Sequence, residues 1–110
     1  MIKEYENISL SDLLNIDILN NAAELLRAMA HPVRIAILRL LSNGKALTVS
    51  EIHEILNIEQ STASHHLSIM KSRNIVVAKR KGKNIYYTIS HERIKNILTC
   101  IQQCLPEAKK

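Results

Sequence analysis

The sequence contains no phenylalanine and no tryptophan, and three tyrosines are its whole aromatic complement. Recognition of unstacked RNA bases, which leans on exposed rings, is therefore disfavoured. Glycine and proline occur only twice each, which argues for helices over a many-turned sheet architecture. No stretch nears the roughly 18 consecutive apolar residues of a membrane span, and the opening MIKEYENISL carries acids where a secretory leader would carry basic residues and an apolar run. Two cysteines, Cys100 and Cys104, are too few and too close for a secreted disulfide framework. These absences point to a cytoplasmic chain with no membrane partner. No nucleophile–base pair, phosphate-cradling glycine loop or complete metal set can be assembled, so an enzyme is not expected.

A further absence is local. Between Gln60 and His91 there is no Asp or Glu, while Lys71, Arg73, Lys79, Arg80, Lys81 and Lys83 all fall there. Six of the fifteen Lys and Arg lie in this segment and none of the ten acids, so the rest of the chain is close to neutral, at about −1. A surplus confined to one segment expects a polyanion, although a solvated basic face is the plainer reading of a charge run alone.

What remains is ordinary for a soluble globular domain: 110 residues, 46% apolar and 23% charged, enough for one domain over 1–110 that would gain from a partner subunit. Ser9 or Ser11 is placed to cap a first helix, with Asp12 completing a capping box from Ser9 and an apolar stripe running from Leu10 to Met29. His31-Pro32 ends it and starts a second, strongly apolar helix from Pro32 to Leu41, stopped by Asn43-Gly44. Thr48 and Glu51 form a capping box for a short helix through Leu56, with Val49, Ile52, Ile55 and Leu56 as its core face. After a turn at 57–59, another helix spans about Gln60 to Ser72. Its Ala63, Leu67 and Met70 face inward, and Gln60, Ser61, Thr62, Ser64, His65 and His66 outward.

Two short helices joined by three residues make a helix-turn-helix over 48–72, and the small, polar, acid-free start of the second suits a major groove. Two β-branched runs, Ile75–Arg80 and Ile85–Ile89, flank Lys81-Gly82-Lys83-Asn84 as a hairpin over 75–89. Its Lys79, Arg80, Lys81 and Lys83 make it a wing able to grip a phosphate backbone. Ser90 is placed to cap a last helix to about Leu105, with Ile94, Ile97, Leu98, Ile101 and Leu105 on one side. The expected fold is mainly α with a small β-hairpin (α+β), a winged helix-turn-helix in the order α-α-α-α-β-β-α. Its first and last helices, about 9–30 and 90–105, form a homodimer that reads a palindromic site on double-stranded DNA.

Three stretches carry a resemblance. Ala28-Met29-Ala30-His31-Pro32-Val33-Arg34-Ile35-Ala36-Ile37-Leu38, Gln60-Ser61-Thr62-Ala63-Ser64-His65-His66-Leu67 and Arg80-Lys81-Gly82-Lys83-Asn84-Ile85-Tyr86-Tyr87 are similar to the arsenical-resistance/metallothionein repressor (ArsR/SmtB) family of bacterial regulators, from about Leu10 to Leu105. The resemblance implies a dimeric repressor released by an inducer, with Gln60, Ser61, Ser64 and His65 making the main base and phosphate contacts.

It also shows where this chain departs from the family. The Cys-x-Cys thiolate site falls on Thr48 and Ser50, which cannot bind soft arsenite or cadmium as thiolates do. The zinc site of the last helix falls on His91, Arg93, Cys104 and Glu107. Arg93 cannot ligate, so only a remnant of His91, Cys104 and Glu107 is left and no metal site is assigned. Cys100 and Cys104, one turn apart, are candidates for a thiol switch that binds a soft metal or is modified covalently, or else small fillers of a helix-pairing surface. His53 reads as a surface or packing residue and His31 as a turn residue. The rival classes are a winged helix used for protein contacts, and a regulator with no small-molecule inducer.

Overall fold

The structure is a computed structural model that describes residues 9–106. Its elements are α1 (Leu10–Leu13), α2 (Ile16–Met29), α3 (Pro32–Leu41), α4 (Val49–Leu56), α5 (Gln60–Ser72), β1 (Val76–Lys81), β2 (Asn84–Ile89) and α6 (Glu92–Cys104). This is a winged helix-turn-helix with one element more than expected, because the first helix is broken in two. Asn15 breaks it: its extended backbone and side chain, which accepts from the Ile18 N–H at 3.2 Å, start α2 afresh. The caps expected at Ser9 and Ser11 thus do not open the long helix; their hydroxyls bond each other at 2.8 Å. The pairing of Ser9 with Asp12 involves a side chain outside the described residues.

α3 runs as the sequence implies. Pro32 takes its first position, and His31 proves to be its N-cap rather than a turn residue, with Nδ1 accepting from the Val33 N–H at 3.1 Å. Thr48 and Glu51 close the capping box on α4, and Asn57, left-handed at φ 56°, ends it. The core gathers on α3: Ile37, Leu38 and Leu41 meet Ile52 of α4, Ala63, Leu67 and Met70 of α5, Ile75 and Val76 of the wing, and Ile94 and Leu98 of α6. Ile55, expected in the α4 core face, is instead more than half exposed at 57%. On a helix of only two turns its direction lies beside the buried stripe, where no neighbouring element covers it.

β1 and β2 pair antiparallel from Val76 opposite Ile89 to Lys81 opposite Asn84, so the tip is the two-residue turn Gly82-Lys83. Gly82 sits at φ 65°, a conformation that a residue with a Cβ takes at a cost. Ser90 does not cap α6. Its hydroxyl donates to the Asn74 carbonyl at 2.6 Å, tying the end of the wing to its start, and His91 takes the cap position.

Apolar side chains are left uncovered toward both ends of the described residues. Leu10, Leu13, Leu14, Ile16, Ile18 and Leu26 of the first two helices, with Leu105 after α6, are each more than half exposed. An apolar surface of this extent marks an interface. No helix among the described residues is long and apolar enough to cross a membrane.

Candidate nucleic-acid interface

α5 presents two opposed faces. Ala63, Leu67 and Met70 are buried, while Gln60, Ser61, Ser64 and His65 are exposed and lie on one side at helical spacing. Ser68 shares that exposed side, an assignment the sequence reading missed although its spacing from Ser61 and Ser64 gives it away. Thr62 is half-buried at the flank, which leaves its hydroxyl less available to a ligand than the others. His66, expected outward, is buried instead, because it faces α3 rather than solvent.

The start of α5 is electrostatically open. Glu59 occupies the cap position without a side-chain hydrogen bond to the first turn, and that turn holds no acid. Its N–H groups and the positive end of the helix dipole are thus available to an anion such as a phosphate.

The wing divides its cations between two faces. Register places Arg80 opposite Ile85 and Lys79 opposite Tyr86, and alternation along β1 puts Lys79 and Lys81 on one face and Arg80 on the other. Lys83 stands in the turn between the strands, and all four are exposed. Lys79, Arg80, Lys81 and Tyr86, with Ala46 from the loop before α4, line an open cleft of about 530 Å³. The wing also packs against α5 through β1 and against α4 through β2.

The remaining candidates lie elsewhere. Cys100 and Cys104 are free and exposed on α6. His91 and Cys104 stand at opposite ends of that helix, on the order of 20 Å apart at 1.5 Å per residue, so one subunit cannot bring them to a shared ion. Glu107 lies outside the described residues. Among the described residues no three His, Cys, Asp or Glu are grouped to hold a metal. Thr48, on the position of a family thiolate, is spent on the α4 cap, accepting from the Glu51 N–H at 3.1 Å. His53 is half-buried, with Nδ1 at 3.1 Å from the Ile58 carbonyl across the turn of the helix-turn-helix. It is a packing residue.

Residues 31–77 match the model of the bacterial regulatory protein, arsR family. The transcriptional repressor PagR of Bacillus anthracis is 41% identical over 80 residues, 73% of this chain and 80% of that protein. Its crystal structure superposes with a TM-score of 0.69 at 40% identity, over 76% of this chain and 94% of the other. The repressor SmtB of Mycobacterium tuberculosis is 37% identical over 82 residues, 74% of this chain and 60% of that one. A homodimeric winged helix-turn-helix DNA-binding domain from Mycobacterium bovis superposes with a TM-score of 0.76 at 27% identity, covering 88% and 93% of the two chains.

Proposed function

Since the chain belongs to the arsR family of bacterial regulatory proteins, we propose that it is a cytoplasmic, homodimeric repressor that seats α5 in the major groove of a palindromic operator and is released by an inducer. One observation carries the reading: the exposed side of α5 is polar and acid-free, and α5 packs against β1 of a wing with four exposed cations. Gln60, Ser61, Ser64 and His65 offer hydroxyl, amide and imidazole groups to base edges and nearby phosphates. Lys79, Arg80, Lys81 and Lys83 neutralise the backbone and contribute affinity without sequence preference. Thr62 supports the edge of this surface from its half-buried position.

The exposed apolar side of α1, α2 and α6 pairs with that of a second copy, which places two recognition helices on successive half-sites. Neither the metal nor the thiol chemistry open to the inducer touches the duplex side. Both meet at Cys100 and Cys104 of α6, where a soft metal ion or a covalent modification would act on the helix pairing. Titrating the operator complex with cadmium, arsenite or a thiol oxidant, for the wild type and a Cys100→Ala/Cys104→Ala variant, tests that part.

The repressor reading itself is tested by fluorescence anisotropy on the chain's own promoter against a shuffled duplex, at several salt concentrations. The expected result is tighter binding to the promoter by about a thousandfold or more. Equal, weak binding to both duplexes would overturn the reading.

A further inference from the structure

The buried polar side chain of the recognition helix is not used by the DNA-facing surface. His66 is 6% exposed, and its Nδ1 accepts from the Nε of Arg34 at 3.1 Å. The same guanidinium donates through Nη1 to the carbonyls of Ala28 at 3.2 Å and Arg27 at 3.5 Å, at the end of α2. Both carbonyls belong to the last turn of α2; that of Arg27 also accepts from the Ala30 N–H at 3.2 Å. One half-buried side chain therefore joins α2, on the uncovered apolar face, to α5, on the DNA-facing side, from its own place on α3.

Proton positions in this cluster follow from the bonding. Arginine stays protonated, so its Nε–H can point at Nδ1 of His66 only if that nitrogen is bare. His66 is accordingly the neutral ring with its proton on Nε2. Its neighbour His31 lies 4.3 Å away, centroid to centroid, with the rings tilted by 42°, and spends its own Nδ1 on the Val33 N–H. Resting on the repressor reading, we infer that Arg34 is a positioning residue that sets the recognition helix against the dimerisation helix, and that this lock holds only while His66 is neutral, so operator affinity falls when His66 takes up a proton.

Protonation would set one N–H against another and place a new cation beside Arg34. The charged neighbours that act on the ring are basic. Burial first, and then the neighbouring His31, Arg34 and His65, hold the His66 imidazole below its usual range. The other ionisable groups on the elements packed against α5 are Asp17, Glu24 and Arg27 of α2, Arg39 of α3, Glu51, His53 and Glu54 of α4, and Lys79, Arg80 and Lys81 of β1. Of these, Glu24 is engaged by Arg73 at 2.8 Å and Arg27 at 3.5 Å. The plainer alternative is that Arg34 only caps α2 and His66 only fills space, which makes the pair matter for stability and not for the pH dependence of binding.

The test measures operator affinity by anisotropy from pH 8 to pH 5.5 at constant ionic strength, for the wild type and His66→Asn. The asparagine Oδ1 falls close to the place of the imidazole Nδ1 and accepts from Arg34 without titrating. At pH 8 the two should bind alike, and as the pH falls the wild type should lose affinity severalfold relative to the variant. Arg34→Gln provides a second route should His66→Asn melt early by circular dichroism. Its amide can donate to neutral His66 or turn to accept from the protonated ring, so it too should lose the acid dependence. A ratio that stays flat, or a full wild-type acid dependence in Arg34→Gln, with operator binding intact at pH 8, overturns the lock alone. Wild type that ignores its operator at pH 8 overturns the repressor reading beneath it.

Discussion

Leu47 and Tyr87 exchange both backbone hydrogen bonds, Leu47 N–H to the Tyr87 carbonyl at 3.2 Å and Tyr87 N–H to the Leu47 carbonyl at 2.7 Å. This single bridge fastens the residue before the α4 cap to the middle of β2. It adds a backbone tie between the wing and the helix-turn-helix to the packing of Val76, Tyr87 and Ile89 on the core. Leu47→Pro removes one donor and leaves the Tyr87 carbonyl to find another partner, at a cost of about 1–3 kcal/mol. A lower urea midpoint with weakened operator binding is the expected outcome; an unchanged midpoint would show that the wing is held by side chains alone.

The two halves of the interface should fail differently. Gln60→Ala or His65→Ala should weaken operator binding by about 1–3 kcal/mol and hardly touch random duplex. Lys81→Ala and Lys83→Ala should weaken binding to every sequence and each reduce the slope of log affinity against log salt by about one. Gel-shift titrations over a salt series on both duplexes separate these patterns, and a uniform loss in all four variants would contradict the division of labour.

Much of this arrangement was legible in the sequence because it rests on local chemistry. Pro32 can only begin a helix there, Thr48 and Glu51 match a reciprocal cap, and the alternation after Ile75 has the period of a strand. The errors fall where tertiary contacts decide. Ser90 looked like a cap, yet its hydroxyl finds the Asn74 carbonyl sixteen residues away. His66 follows His65 in a polar run, yet it stands three residues after Ala63 and four before Met70, on the buried stripe of α5, where it meets His31 and Arg34. Asn15 is a good N-cap hidden inside an unbroken apolar stripe, so periodicity alone carried one helix across it. The candidate contacts on α5 were legible as a face from spacing; which of them touch bases depends on a duplex.

The uncovered leucines and isoleucines of α1 and α2 predict a clean change of assembly. Leu14→Glu with Ile18→Glu alters positions that are 59% and 60% exposed within one subunit, so the subunit fold should persist. Light scattering should report a monomer, and operator affinity should drop by on the order of a hundredfold as the half-sites cease to be read together. A double variant that remains dimeric would relocate the interface.

Oxidation of the two thiols has a geometric limit. Positions four apart on a helix hold their Cβ atoms about 5–6 Å apart, whereas a disulfide draws them to about 4 Å. Cys100 and Cys104 lie in the last turns of α6, next to the extended Leu105. A mild oxidant should therefore give mixed or cross-subunit disulfides, or else unwind the end of α6. An internal Cys100–Cys104 bridge by peptide mapping, with helicity undiminished by circular dichroism, would be inconsistent with the helix as described.

Acid should also act on stability through His66, with a definite sign. Burial and three basic neighbours disfavour its charged form in the fold, while in the unfolded chain it titrates near the ordinary imidazole value of about 6.5. Below that value the unfolded chain holds the extra proton and the folded one does not, so stability rises with pH across this window. The contribution is complete above about pH 6.5 and is lost as pH falls through the lower folded value, after which it levels off. Thermal unfolding of the wild type and His66→Asn at pH 7.5 and pH 5 measures the effect. The wild type should lose more of its melting temperature on acidification than the variant. An equal loss would mean that the ring accepts its proton in the folded state without penalty, and the Arg34 hydrogen bond to Nδ1 would then have no hold over its charge.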